Sequence, residues 1–440
     1  MHKYAMNSAP DFMPVERLRA IQNEKFIKVF RRTYENVEWY RNLLAKHKVD
    51  PNDIRSIADI SKLPFIVKTD LRDTYPDGMR AAPMEKIVRF HASSGTTGKP
   101  IVVPYAQEDL DVWSECVARC LTMFGLDETD VLQVGYGYGL FTGGLGLHDG
   151  GQRRGCAIIP AGGGNTTRHL MLIKDLKATA IACTPSYFLH IIDQAQKTGY
   201  DWKETKLRVG IFGAEPWTDG MRQFIEQETG IVAHDIYGLT EISGPGVGGD
   251  CSHHAGIHIF EDHFYPEIID PDTLQPLPDG ETGELVFTTL DKVGMPVIRY
   301  RTRDITRLIP ERCACGRTIR RIGRISHRSD DMMIVRGVNV FPSQIESVLT
   351  SIDPGLINYQ IYLDSNESGL ATIEVKLEGT PEMYAAFAED ASRREGLARL
   401  VTSKLRDTIG IGFKTTIVDQ NAIPRSEGKM KRIVDNRKKD

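Results

Sequence analysis

The feature that most constrains this chain is an alternation of short apolar runs with longer amphipathic ones between residues 131 and 236. The short runs are Val131–Gly135, Ala157–Pro160, Ala180–Thr184, Leu207–Gly213 and Ile231–Ile236. Each is too short for a helix and mostly apolar, as a strand covered on both faces must be. The longer runs Arg168–Leu176, Ser186–Lys197 and Trp217–Thr229 carry apolar residues at helical spacing. Strands alternating with helices predict parallel β-α-β units, because a parallel return needs a crossover. The expected class is α/β.

The flanks read differently. Val15–Val37 and Glu38–His47 have helical periodicity. After Gly323 the order becomes strand from Met332, helix Ser343–Thr350, strands Asn358–Leu363 and Ala371–Leu377, helix Glu382–Ile409 and strand Thr415–Asp419. That is β-α-β-β-α-β, the split β-α-β arrangement. The 440 residues therefore divide into a large multi-layer α/β domain over 1–327, a hinge at 328–331 and a small mobile α+β domain over 332–440. The polar segment Ile325–Asp331 is the expected linker.

Composition narrows the partners. Lys and Arg number 55 against 59 Asp and Glu, so a formal charge of −4 makes no global case for nucleic acid or an anionic membrane. No apolar run approaches about 18 residues and the start has no signal-peptide core, so a cytoplasmic protein is expected. Seven cysteines argue against a disulfide framework.

Chemistry concentrates in glycine-rich segments. Ser93-Ser94-Gly95-Thr96-Thr97-Gly98-Lys99 supplies four hydroxyls, two glycines and a lysine before Pro100. Close backbone N–H groups, hydroxyls and an ammonium are what a polyphosphate needs around it. It is not a Walker A loop, which needs glycine at 93 and Ser or Thr at 100. Gly244-Pro245-Gly246-Val247-Gly248-Gly249 matches G-x-G-x-x-G by letters. Its proline spacer and the lack of a following helix reject a dinucleotide site.

The first of these runs resembles the phosphate loop of the acyl-adenylate-forming ligase superfamily, and further motifs agree in the same order. Tyr237-Gly238-Leu239-Thr240-Glu241 resembles its Y-G-x-T-E motif, and Tyr300-Arg301-Thr302-Arg303-Asp304 its Y-R-T-G-D motif. Arg328-Ser329-Asp330-Asp331, followed by Arg336-Gly337, resembles its hinge. Pro424-Arg425-Ser426-Glu427-Gly428-Lys429 resembles its C-terminal lysine motif. His91-Ala92, Gly213-Ala214-Glu215-Pro216 and the run Gly337 to Glu346 are similar to the phenylacetate–CoA ligase branch. Two positions depart from the pattern: Arg303 and His327 stand where glycine is usual.

The resemblance implies a two-step reaction. A carboxylate attacks the α-phosphorus of ATP, releasing pyrophosphate; the thiol of coenzyme A then displaces AMP. It implies Lys429, Glu241 and Thr240 as catalytic groups, with Glu241 on Mg²⁺, which prefers one or two carboxylates plus phosphate oxygens. Asp304 would take both ribose hydroxyls, and Arg328 would reach ribose or phosphate. Gly213, Ala214, Glu215 and Pro216 would line one side of the adenine slot, and Asp235, Ile236, Tyr237 and Gly238 the other. Asp330 would be the pivot, with Arg336, Gly337 and Val338 on the coenzyme A side.

Two readings come from the residues themselves. The run from Gly135 to Gly144 interleaves aromatics with glycines, which makes a flat apolar slot suited to an aryl ring. Tyr136, Phe141, Gly143, Ala214 and Pro245 are the expected pocket residues. The slot would accommodate phenylacetate, benzoate, aminobenzoate or indoleacetate, since one methylene discriminates by only about 1–3 kcal/mol; it is the branch resemblance that favours phenylacetate. Cys251, His258, Cys313 and Cys315 offer three thiolates and an imidazole, the donor set of a structural Zn²⁺ site, with His253, His254 and His263 as competing ligands. Cys116, Cys120, Cys156 and Cys183 read as core.

The expected partner is thus a small aromatic carboxylic acid, with no nucleic acid and no membrane; a homodimer is left open. Transfer to a carrier-protein thiol, or an inactive nucleotide-binding regulator, are the competing functions.

Overall fold

The computed structural model describes residues 5–93, 99–329, 333–336, 338–365, 371–425 and 430–437. The alternating region folds as expected. Strands Ala157–Ile159, Val131–Val134, Ala180–Cys183, Val209–Gly213 and Val232–Leu239 lie side by side, all parallel, within a nine-stranded sheet. Helices Thr166–Asp175, Pro185–Thr198 and Asp219–Thr229 make the crossovers. The last two carry hydroxyl N-caps: Thr184 accepts from Tyr187 N–H and Thr218 from Met221 N–H.

Beyond Val232–Leu239 the same sheet continues antiparallel through Gly244–Asp250, Ile257–Ile259, Arg321–Ile322 and Leu308–Ile309. The second glycine-rich run is therefore a strand and not a phosphate turn. A separate four-stranded sheet runs Phe264–Ile269, Gly283–Thr289, Tyr300–Thr306 and His327–Arg328.

Some elements escaped the sequence pattern. Thr142–Arg154 is a helix although it contains Gly143, Gly144, Gly146, Gly150 and Gly151. Each interior glycine costs a helix about 1 kcal/mol relative to alanine. The compensation is close packing. A Cβ on Gly146 would lie 2.4 Å from Trp113, on Gly150 2.2 Å from Val117, and on Gly151 2.4 Å from Ile158. Only a bare backbone fits against helix Gln107–Met123 there.

The C-terminal region is a small α+β unit with its own core of Ile345, Leu349, Ile361, Val375 and Leu405. Its strand order refines the expectation. Met333–Val335 pairs only with Val338–Val340, in a hairpin. The four-stranded sheet runs Lys414–Ile417, Ala371–Leu377, Tyr359–Ser365 and Ile433–Asp435. The edge strand Ile433–Asp435 has too short an apolar run to be read from sequence. The expected long helix is two, Pro381–Glu389 and Ser392–Ile409, broken at Asp390, whose carboxylate accepts the Ser392 N–H. Among the described residues no helix is long and apolar enough to cross a membrane.

Candidate active site

The chain passes from Val131–Val134 to the strand on one side, then crosses to Ala180–Cys183 on the other. Such a reversal opens a crevice at the carboxyl ends of parallel strands, where ligands bind in open α/β sheets. Gly135-Tyr136, Gly213-Ala214-Glu215 and Thr240-Glu241 leave the sheet at that edge. The motifs are thus brought together by topology.

The Thr240-Glu241 loop is pinned from three directions. Tyr105 Oη donates to Thr240 O at 3.4 Å, Lys292 Nζ to Ile242 O at 2.5 Å, and Trp113 Nε1 to Pro245 O at 2.8 Å. Thr240 Oγ1 lies 3.3 Å from Thr142 Oγ1, at the start of the glycine-rich helix. Thr240 and Glu241 are buried. Lys292 was not foreseen from sequence. It is buried over the Tyr105 ring at 4.6 Å. Burial pulls its ammonium down to about 8, against the opposing pull of the Asp109 and Glu241 carboxylates. Asp109 is itself fixed by N–H groups of Ala106, Val293 and Gly294. No local pattern marks Lys292, since its carboxylate neighbours lie far away in the chain.

Asp304 is aimed by a bulge. The register between Gly283–Thr289 and Tyr300–Thr306 slips between Glu284 and Val286, and Arg303 sits there at φ 69. The position where the superfamily has glycine thus keeps a left-handed backbone, and the arginine adopts it. Tyr237 Oη donates to Asp304 Oδ2 at 2.5 Å, and Arg328, paired with Asp304 in the sheet, brings Nε to 4.0 Å of Oδ1. Burial, with the Asp304 charge and hydrogen bond adding to it, holds the Tyr237 phenol well above its ordinary range, so it remains a donor. The other departure from the pattern, His327, stacks on Phe341 with ring centroids 3.7 Å apart.

The remaining expected residues divide. Tyr136 is buried, and its hydroxyl donates to Cys183 O at 2.7 Å with Gly213 O at 3.3 Å. A Cβ on Gly143 would lie 2.8 Å from Phe141 and 3.1 Å from Tyr136, so that glycine lets the two rings converge. Ala214 is half-buried at φ 70, Pro245 half-buried and Pro216 exposed. Asp235, beside buried Ile236, has its carboxyl pushed up to about 6, by burial first and then by the Asp250 charge. Gly213 is buried and Gly238 half-buried; Cβ atoms there would lie 2.2 Å from Ile236 O and 1.8 Å from Gly244 O. Glu215 does not turn toward this edge alone: its two oxygens accept Ser186 N–H at 2.8 Å and Met430 N–H at 3.2 Å. Ser93 ends its strand, and Lys99 lies 5.3 Å from the Tyr75 ring. Arg336 donates to Gly412 O at 2.6 Å, and Val338 is half-buried in the hairpin. Ser94, Gly95, Thr96, Thr97, Gly98, Asp330, Gly337 and Lys429 lie outside the described residues.

The cysteine cluster assembles. The donor atoms of Cys251, His258, Cys313 and Cys315 all lie within 4.8 Å of one another. Cys251 Sγ is 3.6 Å from Cys313 Sγ, and Cys315 Sγ is 3.4 Å from His258 Nε2. His258 Nδ1 faces Ile319 O at 3.4 Å, which orients Nε2 toward the thiols. Two competing histidines are engaged elsewhere: His254 on Asp250 at 2.7 Å and His263 on Asp291 at 2.7 Å.

Comparison with known proteins identifies the family. Residues 14–290 match the family model described as AMP-binding enzyme, and 337–437 match AMP-binding enzyme C-terminal domain. The chain belongs to the AMP-binding enzyme family, the acyl-adenylate-forming ligases. It is 47% identical to a phenylacetate–coenzyme A ligase of Aromatoleum evansii over 98% of this chain and 99% of that one. It is 44% identical to one of Thermus thermophilus over 97% and 98%. Within the family it therefore falls in the phenylacetate–coenzyme A ligase branch. Among solved structures it superposes on 2-hydroxyisobutyryl-CoA ligase in the postadenylation state with a TM-score of 0.90, at 25% identity, covering 97% of this chain and 91% of that one. The same ligase in the thioesterification state, at 26% identity and the same coverage, gives 0.70.

Proposed function

We propose that this chain is an ATP-dependent phenylacetate–coenzyme A ligase. The observation that carries the reading is the Tyr237–Asp304–Arg328 constellation set beside Thr240 and Glu241 at the carboxyl edge of the parallel sheet. Asp304, with one oxygen held by a phenol, offers its remaining lone pairs to ribose hydroxyls. Thr240 and Arg328 steady the α-phosphate while the acid's carboxylate oxygen bonds to phosphorus and the bond to pyrophosphate breaks. Lys429 neutralises charge that develops between two anions. In the second step the coenzyme A thiolate adds to the acyl carbonyl, and the carbon–oxygen bond to AMP breaks.

Glu241 would hold Mg²⁺, which supplies positive charge on the phosphate oxygens. Phe141, Gly143, Tyr136, Ala214 and Pro245 would face the aryl ring. Asp330 would be the pivot of the small domain, and Arg336, Gly337 and Val338 would meet coenzyme A after it turns. Cys251, His258, Cys313 and Cys315 would hold a structural Zn²⁺, tying the loop after Glu241 to the one after Asp304. Element analysis of the purified protein checks the last point: about one zinc per chain is expected, and a metal-free, fully active preparation defeats it.

The functional test is a panel of phenylacetate, benzoate, aminobenzoate and indoleacetate with ATP, Mg²⁺ and coenzyme A, scored for AMP and thioester. Phenylacetate is expected to give both products at the highest kcat/KM. AMP without thioester would instead indicate a carrier-protein acceptor, and no AMP with any acid an inactive regulator.

A further inference from the structure

The small domain touches the large one through several contacts. Ile357 packs into the large domain's cluster around Phe212, Met221 and Ile225. Thr350 lies where Gly220 leaves room, since a Cβ there would be 2.7 Å away, and Lys197 donates to Asn421 at 2.8 Å. These contacts fit shape. One differs, because it spends a carboxylate.

Glu215 follows Ala214, an alanine held left-handed at φ 70. An L-residue there is strained, and such strain clusters at working positions. The turn delivers Glu215 Oε1 to the Ser186 N–H, in the first turn of helix Pro185–Thr198, and Oε2 to the Met430 N–H of the small domain. Behind Met430 stands Arg432, over the Tyr359 ring at 4.1 Å and donating to Glu346 at 3.4 Å. Burial pushes the Glu215 carboxyl up, and the Ser186 and Met430 hydrogen bonds and the Arg432 charge oppose it. Met430 N–H belongs to the peptide that begins at the Lys429 carbonyl.

The contact also belongs to one domain arrangement. The chain superposes on the postadenylation state of one ligase at a TM-score of 0.90 and on the thioesterification state of the same ligase at 0.70. We propose that Glu215 is a positioning residue: by accepting the Met430 N–H across the domain boundary it holds the small domain on the large one for adenylation, and releases it when the small domain turns. This rests on Lys429 being the adenylation lysine.

The test separates the half-reactions in the full chain. Adenylation is read as acid-dependent ATP–pyrophosphate exchange, and the second step as thioester formation from added acyl-adenylate and coenzyme A. Glu215→Ala is expected to lower the kcat of exchange about 10- to 100-fold, the range for losing a charged hydrogen-bond acceptor, while thioester formation stays within about twofold. Glu215→Gln keeps an acceptor oxygen and should recover part of the loss. Met430→Pro deletes the donor from the other side and should reproduce the alanine profile. Hydrolysis at the 329–332 linker by added protease, with adenylate bound, should quicken in both Glu215→Ala and Met430→Pro.

A raised KM for ATP at unchanged kcat would make Glu215 an adenine contact and overturn the latch. Equal loss of both half-reactions, or unchanged exchange in both Glu215→Ala and Met430→Pro, would also overturn it. Lys429→Ala runs alongside. If it leaves exchange intact, the lysine assignment fails; if it abolishes exchange while Glu215 and Met430 variants are silent, only the latch fails.

Discussion

The two halves of the candidate site are built differently. On the ribose side Tyr237, Asp304 and the Glu241 loop belong to the large domain and are held by buried partners: Tyr237 on Asp304, Asp304 on a bulged strand, and the Glu241 loop on Tyr105, Trp113 and Lys292. Behind it, Arg119 joins Asp11 at 2.5 Å and Asp262 at 2.9 Å, and His263 joins Asp262 and Asp291. On the lysine side a carboxylate contact, Glu215 to Met430, crosses between domains. A preorganised half can wait for nucleotide without reorganising. A conditional half can leave once the adenylate exists. Two reactions in one cleft need one of each.

The largest effect should come from the fixed half. Asp304→Ala removes the ribose acceptors and strands the Tyr237 hydroxyl, so kcat/KM for ATP is expected to fall at least about 100-fold. Thioester formation from added adenylate should fall with it, unlike in the Glu215 variants; survival of the second step would break the contrast. Lys292→Met should come next. Removing a buried cation beside Asp109 and Glu241 leaves carboxylates uncompensated, at about 3 kcal/mol of unfolding free energy in denaturant titration. An unchanged midpoint would mean the Glu241 loop does not depend on it.

A pH effect of about 3 kcal/mol should follow from His263, pushed up to about 9 because Asp262 and Asp291 outweigh burial. A raised folded value stabilises fully below the ordinary histidine value of about 6.5. That contribution is lost as pH rises through about 9. Unfolding free energy measured from pH 6 to 10 should show this loss, and His263→Asn should flatten it. The smallest effect is a gain: Arg303→Gly relieves the left-handed backbone and should stabilise by about 0.5–1 kcal/mol without changing kcat. Destabilisation instead would show that Arg303, 3.6 Å from Glu284, contributes through its charge.

Much of this was legible. The parallel strands and their crossovers follow from period and length. The cysteine–histidine set was readable from donor chemistry, and the structure groups His258 with the thiols while His254 and His263 bond to carboxylates. The glycine-rich helix Thr142–Arg154 was not legible, because propensity opposes it and its glycines are justified by distant neighbours such as Trp113 and Val117. The edge strand Ile433–Asp435 was not legible either, since the Tyr359–Ser365 strand supplies its hydrogen bonds.

The sequence by itself determined the α/β class, the two-part organisation and the identity of the chemical groups. Hydrophobic period and short motifs are local properties, and each is complete within a few residues. Only the tertiary structure decided which charges face each other: Lys292 toward Glu241, Tyr237 onto Asp304, Glu215 onto Met430. Such pairings join residues far apart in the chain, and burial makes them strong. No local pattern records them.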